Sequence, residues 1–440
     1  MGEFCNLKYS DNIIYIEYVV GGIYMSCVKV VGKKCIGGTV CAQGCKNSVL
    51  PIIAATLLNG GQNIIHNCPC LSDVYAAIDI LRALGVNVVF SGNTLIINSE
   101  GINSDTIRPD LMKAMRSSVI FLGPMLSRLG EAVISMPGGC DIGKRPIDIH
   151  LMAFSKMGIS VVCEDGNIRC IKDRLRGEKI FLPKPSVGAT ENIMLLACKG
   201  SGVTTIINAA REPEIIDLQN FLNSMGARIF GAGTSEITIY SVNNLDNSEY
   251  TVMPDRIEAA TYCCAVAACG GYAEIKNIVP EHIESVLSIL EKSGSSVVRY
   301  PSSVYISSGN VPQCVSYVST GPYPAFPTDV QSIIMSVMSL SSGEGVIVEN
   351  IFENRFGHAQ QLKKMGADIK VSDKKAFIRG KKLYGAEVSA CDLRSGAALI
   401  VAALGSCGET IISNCQYIDR GYEDFEDKFK SLGVDIERMD

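Results

Sequence analysis

The chain has 440 residues, of which 47% are hydrophobic and 19% charged; that balance excludes intrinsic disorder and supports more than one core. Its formal net charge is −5 and its pI is near 5.6, so a global basic footprint for nucleic acid is absent. No run of 18 apolar residues occurs and no membrane span is expected.

From the N-terminus, the apolar stretch Ile13 to Tyr24 has neither a basic region before it nor an A-x-A site, so it does not read as a secretory signal. The 18 cysteines include no C-x-x-C pair, and His66, His150, His282 and His358 are far apart, which disfavours zinc and dithiol chemistry. A reducing cytoplasm, with most thiols acting as small core residues, is the simplest reading.

Two phrases then recur six times. The first ends an amphipathic helix with glycine and starts a β-branched strand: LGVNVV, MGISVV, MGARIF, SGSSVV, MGADIKV and LGVDI, with glycines at 85, 158, 226, 294, 366 and 433. Their spacings are 73, 68, 68, 72 and 67 residues. Glycine just past a helix is a left-handed C-cap, and the Val/Ile residues after it suit a strand. The second phrase starts at Gly61, Gly130, Gly202, Gly271, Gly343 and Gly408 and opens another strand (GQNIIHN, GEAVISM, GVTTIIN, GYAEIKN, GEGVIVEN, GETIISN). Each unit therefore reads helix, strand, helix, strand, strand. The period is too long for common solenoids and fits an α/β fold of two domains, three βαβ-type units each.

The first helix of each unit opens at Lys46-Asn47, Arg116, Ser186 to Thr190, Arg256, Asp329 and Arg394; the second opens near Asp73, Arg145, Arg211, Glu281, Arg355 and Arg420. Cations at helix N-termini oppose the dipole, whereas free N–H groups and Arg forks there bind anions. Either each Arg pairs with a neighbouring acid (Asp419, Glu212 and Glu353 are candidates), or the set holds a shared anionic ligand. Recurrence favours the ligand, a phosphorylated substrate between two domains. The segment MPGGCDIGKRPID, Met136 to Asp148, carries three glycines and two prolines and reads as a loop or lid. Cys140 lies in its middle beside Lys144 and Arg145, cations that would lower a thiol pKa.

In order along the chain, GCKNSVLP, MRSSVIFLGP, PGGCDIGKRPIDIH, PSVGATENIM, AAREPEI, PDRIEAAT, PAFPTDVQ, FENRFGH, DLRSGAAL and IDRGYE are similar to the UDP-N-acetylglucosamine 1-carboxyvinyltransferases, of the enolpyruvyl transferase family. The resemblance runs from about Met25 to the C-terminus; residues 1–24 stand outside it as an extension without an assigned role. It implies two inside-out α/β barrel domains of three βαβαββ repeats with buried helices, one spanning 46–253 and the other joining 1–45 to 254–440. It also implies transfer of the enolpyruvyl group of phosphoenolpyruvate to the 3-hydroxyl of UDP-N-acetylglucosamine, releasing phosphate, by addition and elimination.

In that frame Asp329 is the general base, although a lone Asp at a helix start also suits an N-cap. Cys140 is the proton donor and can add to phosphoenolpyruvate, while Lys46 is catalytic. Lys46, Asn47, Arg145, Arg355, Arg394 and Arg420 hold phosphoenolpyruvate. Arg116, Arg145, Pro146, Ile147, Asp148, Ile149, Lys184, Pro185, Ser186, Val187 and Gly188 hold the nucleotide sugar, with Asp329 and Ile351 from the other domain. Asp73 supports the lysine. No metal or organic cofactor is implied; a cytoplasmic monomer that closes on UDP-N-acetylglucosamine is expected. Members with Asp at the loop position resist fosfomycin, so Cys140 implies alkylation by it. The sister family, 5-enolpyruvylshikimate-3-phosphate synthase, lacks the PGGC loop. A catalytically silent paralogue would have lost one of Lys46, Cys140, Asp329 or Arg420, and an RNA-end-processing enzyme would sit poorly with the acidic pI.

Overall fold

Six inner helices organise the chain: α1 (Lys46–Ala55), α2 (Leu122–Leu129, entered through the 3-10 turn Arg116–Phe121), α3 (Val187–Ala197), α4 (Arg256–Cys269), α5 (Thr328–Leu340) and α6 (Leu393–Gly405). The computed structural model describes residues 8–10, 13–15, 26–33, 35–135, 147–164, 166–309 and 311–439. Every residue of α4 is buried, which its sequence RIEAATYCCAVAAC permits because it is apolar almost all round. The second helices of the units behave differently. Glu284–Lys292 buries only Val286, Leu287 and Leu290 and shows its charged side to solvent. Each Leu, Ile or Val fully buried on these inner helices contributes roughly 1.5–3 kcal/mol.

Around the inner helices stand six four-stranded sheets, each with one parallel and two antiparallel pairings. Val203–Ile207, for example, runs parallel to Lys179–Phe181 and antiparallel to Glu236–Tyr240, which in turn pairs with Arg228–Phe230. The parallel pair is joined through α3, the crossover that parallel strands require. The C-cap glycines of the first phrase have positive φ throughout, from 76° at Gly433 to 100° at Gly294. In the first unit the left-handed residue of the second phrase is Gly60 (φ 68°), one position before Gly61.

Two hydrophobic cores result. One runs from Cys45 to Val252 around α1, α2 and α3. The other unites Val28 to Ala42 with Ile257 to Ile436, and in it α4, α5 and α6 pack on one another. The chain passes between the cores along two adjacent strands. Gly44 bridges Pro254, the Cys45 amide donates to Met253 at 2.8 Å, and the Asp255 amide donates to Gln43 at 2.8 Å. The strands flanking this crossing are exchanged. Ile36–Cys41 pairs with Gly271–Lys276 in one core and then feeds α1 of the other. Ser248–Thr251 pairs with Gln62–His66 and then feeds α4. The last unit lacks a final strand of its own, and Cys27–Val31 fills the gap, antiparallel between Glu409–Ser413 and Asp435–Met439. This is a doubly three-fold, inside-out α/β architecture, as expected.

Two expectations change. Eight of the sixteen described cysteines are buried, four are intermediate, and Cys35, Cys41, Cys70 and Cys163 are exposed. Core packing therefore accounts for half of them: Cys41 and Cys163 take outward strand positions, and Cys35 and Cys70 lie in connecting segments. Arg355 lies in a turn and Arg420 ends the 3-10 helix Cys415–Arg420, so neither opens an α-helix; the following ones begin only at Ala359 and Phe425. Among the described residues no helix is long and apolar enough to cross a membrane.

Candidate active site between the two cores

The crossing strands deliver α1 and α4 side by side, and one carboxylate serves both. Asp255 is the N-cap of α4: its Oδ1 accepts from the amides of Ile257 (2.8 Å) and Glu258 (3.1 Å). Its Oδ2 accepts from the amide of Lys46, the first residue of α1, at 3.1 Å. Three N–H groups that helix starts leave unpaired, one of them in the opposite core, are thus satisfied by one buried side chain. The cap fixes the origin of Lys46 and of Arg256, whose Nε donates to Glu214 at 2.9 Å across the crossing.

Two further carboxylates are each gripped by two cations. Asp73 accepts from Lys46 Nζ at 2.6 Å and from Arg420 Nε at 2.9 Å, the latter reaching across from the other core. Asp329 accepts from Arg355 at 3.0 Å and Arg394 at 3.3 Å. The two groups are electrically continuous: Arg394 and Arg420 both act on Lys46. Arg394 also faces Tyr422, with its guanidinium 5.8 Å from the ring centroid. Burial alone would raise the Asp73 pKa, but the charges of Lys46 and Arg420 and their hydrogen bonds outweigh it and hold the carboxyl below its usual range. Burial lowers the Lys46 pKa, aided by Arg394 and Arg420 and opposed by Asp73.

Four cations therefore stand against two carboxylates, with Lys46, Asp73, Arg355 and Arg394 buried and Asp329 and Arg420 partly exposed, and the surplus is positive. The buried Nε of Arg355 has no acceptor among the described residues. Such a cluster is equipped to take a small, multiply charged anion, and Asp329 supplies a carboxylate beside it.

The neighbouring acids named from sequence are not the partners. Asp419 pairs with Arg438, and Glu212 accepts from the Tyr323 amide at 3.5 Å. Each paired Arg of the cluster instead meets an acid remote in sequence. Asp329 is no N-cap either: that place belongs to Pro327, and the Asp329 carboxylate is taken up by the two guanidiniums.

Asn47 is half-buried beside Lys46 in the first turn of α1. Ile351 is exposed, and its amide is fixed at 2.8 Å by Glu349, which also takes the Thr328 hydroxyl at 3.0 Å. This ties Ile351 to the start of α5 and hence to Asp329. Ile147 and Ile149 are buried and Asp148 is exposed at the head of Asp148–Lys156. Lys184 is exposed, Pro185, Val187 and Gly188 are half-buried, and Ser186 caps α3 by accepting from the Ala189 amide at 3.4 Å. Arg116 opens the 3-10 turn ahead of α2. Cys140, Arg145 and Pro146 lie outside the described residues. Sequence reasoning passed over Asp255, Glu214 and Tyr422 as functional groups. The available signal was their position inside the quoted stretches PDRIEAAT, AAREPEI and IDRGYE.

Residues 30–429 match the family model described as EPSP synthase (3-phosphoshikimate 1-carboxyvinyltransferase). The chain is 48% identical over 412 residues to UDP-N-acetylglucosamine 1-carboxyvinyltransferase 2 of Caldanaerobacter subterraneus subsp. tengcongensis, covering 93% of this chain and 99% of the relative. It is 45% identical over 414 residues to UDP-N-acetylglucosamine 1-carboxyvinyltransferase of Thermotoga petrophila, covering 93% and 98%. Among solved structures, the enolpyruvyl transferase NikO from Streptomyces tendae superposes with a TM-score of 0.85 at 23% identity, over 94% of this chain and 99% of that one. EPSP synthase from Acinetobacter baumannii gives 0.73 at 18% identity, over 94% and 100%. Both share the fold. With a family model spanning nearly the whole chain and relatives at this identity over their full length, the chain belongs to the EPSP synthase family of enolpyruvyl transferases, alongside its UDP-N-acetylglucosamine 1-carboxyvinyltransferases.

Proposed function

We propose that this enzyme transfers the enolpyruvyl group of phosphoenolpyruvate to the 3-hydroxyl of UDP-N-acetylglucosamine and releases phosphate, the first committed step of peptidoglycan synthesis. The observation that carries the reading is the charge cluster in which Lys46, Arg355, Arg394 and Arg420, drawn from both cores, surround Asp73 and Asp329 with positive charge to spare. Relatives at 44–48% identity over most of the chain bear the corresponding activity in their names.

The chemistry assigns the parts. Asp329 takes the proton of the sugar 3-hydroxyl as its oxygen bonds to C2 of phosphoenolpyruvate. Cys140 gives a proton to C3, and a tetrahedral ketal forms. Loss of a proton from C3 then expels phosphate and restores the vinyl ether. Lys46, Asn47, Arg145, Arg355, Arg394 and Arg420 hold the carboxylate and phosphate through these steps. Arg420 and Lys46 already meet on Asp73, so an arriving anion exchanges one acceptor for another rather than meeting bare charge. Arg116, residues 145–149 and residues 184–188 hold the nucleotide sugar, with Ile351 against the sugar. Residues 46–253 and the remainder close as two bodies, which brings the Cys140 loop to Asp329. We assign the enzyme to the cytoplasm as a monomer.

Phosphate release tests the assignment. Release should require UDP-N-acetylglucosamine and phosphoenolpyruvate together, and Asp329→Asn should lower kcat by about 10²–10⁴-fold. Release with shikimate 3-phosphate instead, or an unimpaired Asp329→Asn enzyme, would overturn it.

A further inference from the structure

His150 lies on Asp148–Lys156 and is 7% exposed. Its Nδ1 is 2.9 Å from Asn192 Nδ2, a side chain of the buried helix α3. The orientation of that amide is settled by the backbone. Asn192 Oδ1 accepts from the Gly123 amide at 2.9 Å, and Nδ2 donates to the Val119 carbonyl at 2.9 Å. A backbone N–H can only donate and a carbonyl can only accept, so Asn192 cannot be turned over. Its second Nδ2 hydrogen therefore goes to His150, whose Nδ1 must accept. The ring is then neutral with its hydrogen on Nε2. Burial acts in the same direction, pushing the pKa down to about 4.

That remaining N–H has no acceptor among the described residues. The ring lies against Gly188: a Cβ built there would come within 3.2 Å of Cε1 and 3.4 Å of Nε2. Gly188 is the second residue of α3, an eleven-residue helix. Of its first-turn amides, Ser186 Oγ takes only that of Ala189. Those of Val187 and Gly188 remain, as helix geometry requires. Three N–H donors, two from backbone and one from a locked imidazole, thus lie together at the positive end of α3.

We infer that His150 Nε2–H is a fixed, uncharged hydrogen-bond donor to the diphosphate of the nucleotide sugar, kept in that tautomer by Asn192. This rests on the proposed binding of the nucleotide by residues 184–188. A neutral donor gives grip that does not vary with pH across the physiological range, which an ordinary histidine would not. It also fits glycine at 188, since a Cβ there would crowd the ring.

The test uses the full-length enzyme labelled with 15N in its four histidines, with UDP as the probe and uridine as the phosphate-free control. A spectrum of His150→Gln assigns the His150 signals by their disappearance. The expected result is an Nε2–H tautomer unchanged from pH 5.5 to 8.5, whose Nε2 and attached proton shift on adding UDP and stay put with uridine. In steady state, His150→Leu should raise KM for UDP-N-acetylglucosamine about tenfold or more while KM for phosphoenolpyruvate holds. His150→Gln, which keeps an N–H near Nε2, should recover most of that loss. A ring that titrates near pH 6.5, UDP that binds without moving Nε2, or equal KM effects for Leu and Gln would each overturn the inference. If wild-type enzyme binds no UDP at all, the nucleotide assignment itself falls, and this inference with it.

Discussion

Removing the Asp255 carboxylate should reach both cores at once. Asp255→Ala deletes three hydrogen bonds, to Ile257, Glu258 and Lys46, from a side chain 2% exposed. Loss of the α4 cap costs about 0.5–2 kcal/mol. Leaving the Lys46 amide unpaired in a buried setting costs about 1–3 kcal/mol more. The sum is near 3 kcal/mol, or on the order of 10 °C in Tm for cores of this size. Asp255→Asn separates the parts. Its oxygen can still cap α4, but its NH2 faces the Lys46 amide, so only the second part should be lost. The chain has no tryptophan, so unfolding is followed by far-UV circular dichroism in urea. Hydrogen exchange resolves residues 46–50 from residues 256–260. In Asp255→Asn the first segment should exchange faster and the second should keep its protection. Equal protection of both segments in Asp255→Ala, with stability within about 1 kcal/mol of wild type, would refute the double-cap reasoning.

Other consequences follow from the buried charges and the loop. Burial, reinforced by Glu214 and Glu212, raises the Glu191 pKa well above the ordinary carboxylate value. A raised folded-state pKa gives stability that is fully present below the unfolded pKa and is lost as pH rises through the folded one. Glu191→Gln should therefore gain urea midpoint over wild type at pH 8 and show little difference at pH 4; the reverse order would refute the assignment. Fosfomycin should add once to the wild-type chain and not to Cys140→Ala, read by intact mass; an equal adduct on both would exclude Cys140. Small-angle scattering should show a smaller radius of gyration with UDP-N-acetylglucosamine than without it, and an unchanged radius would count against closure.

The sixfold plan was legible because its markers are local. A glycine whose φ must be positive, followed by β-branched residues, announces a helix end and a strand start within six residues, as at Gly85 and Gly366. The apolar surround of α4 and α6 likewise showed that helices rather than sheets fill the interior. The partners of the charged residues were not legible. Arg420 and Asp73 are 347 positions apart, and nothing near Arg420 in sequence distinguishes Asp73 from Asp419. The role of Asp255 depends on two chain crossings lying side by side, a tertiary fact with no local trace. The lock on His150 depends on Gly123 and Val119 orienting Asn192, and a motif read residue by residue cannot supply it. The exposure of Cys41 and Cys163 was misjudged for a related reason: alternation places a strand residue inside or outside, and register decides which.

The strand Cys27–Val31 bears on how the chain can be made. It is among the earliest described segments to leave a ribosome, yet both its partners, Glu409–Ser413 and Asp435–Met439, are among the last. At roughly 5–20 residues per second, it stays unpaired for tens of seconds. The core from Cys45 to Val252 can be completed while synthesis continues, because every strand of its sheets lies within 62–251. The second core cannot seal until the final residues emerge, and its closing step joins nearly the two ends of the chain. Truncation at the C-terminus should leave that early strand without neighbours, exposing an apolar edge to other nascent chains, while the first core persists as a folded, separable product.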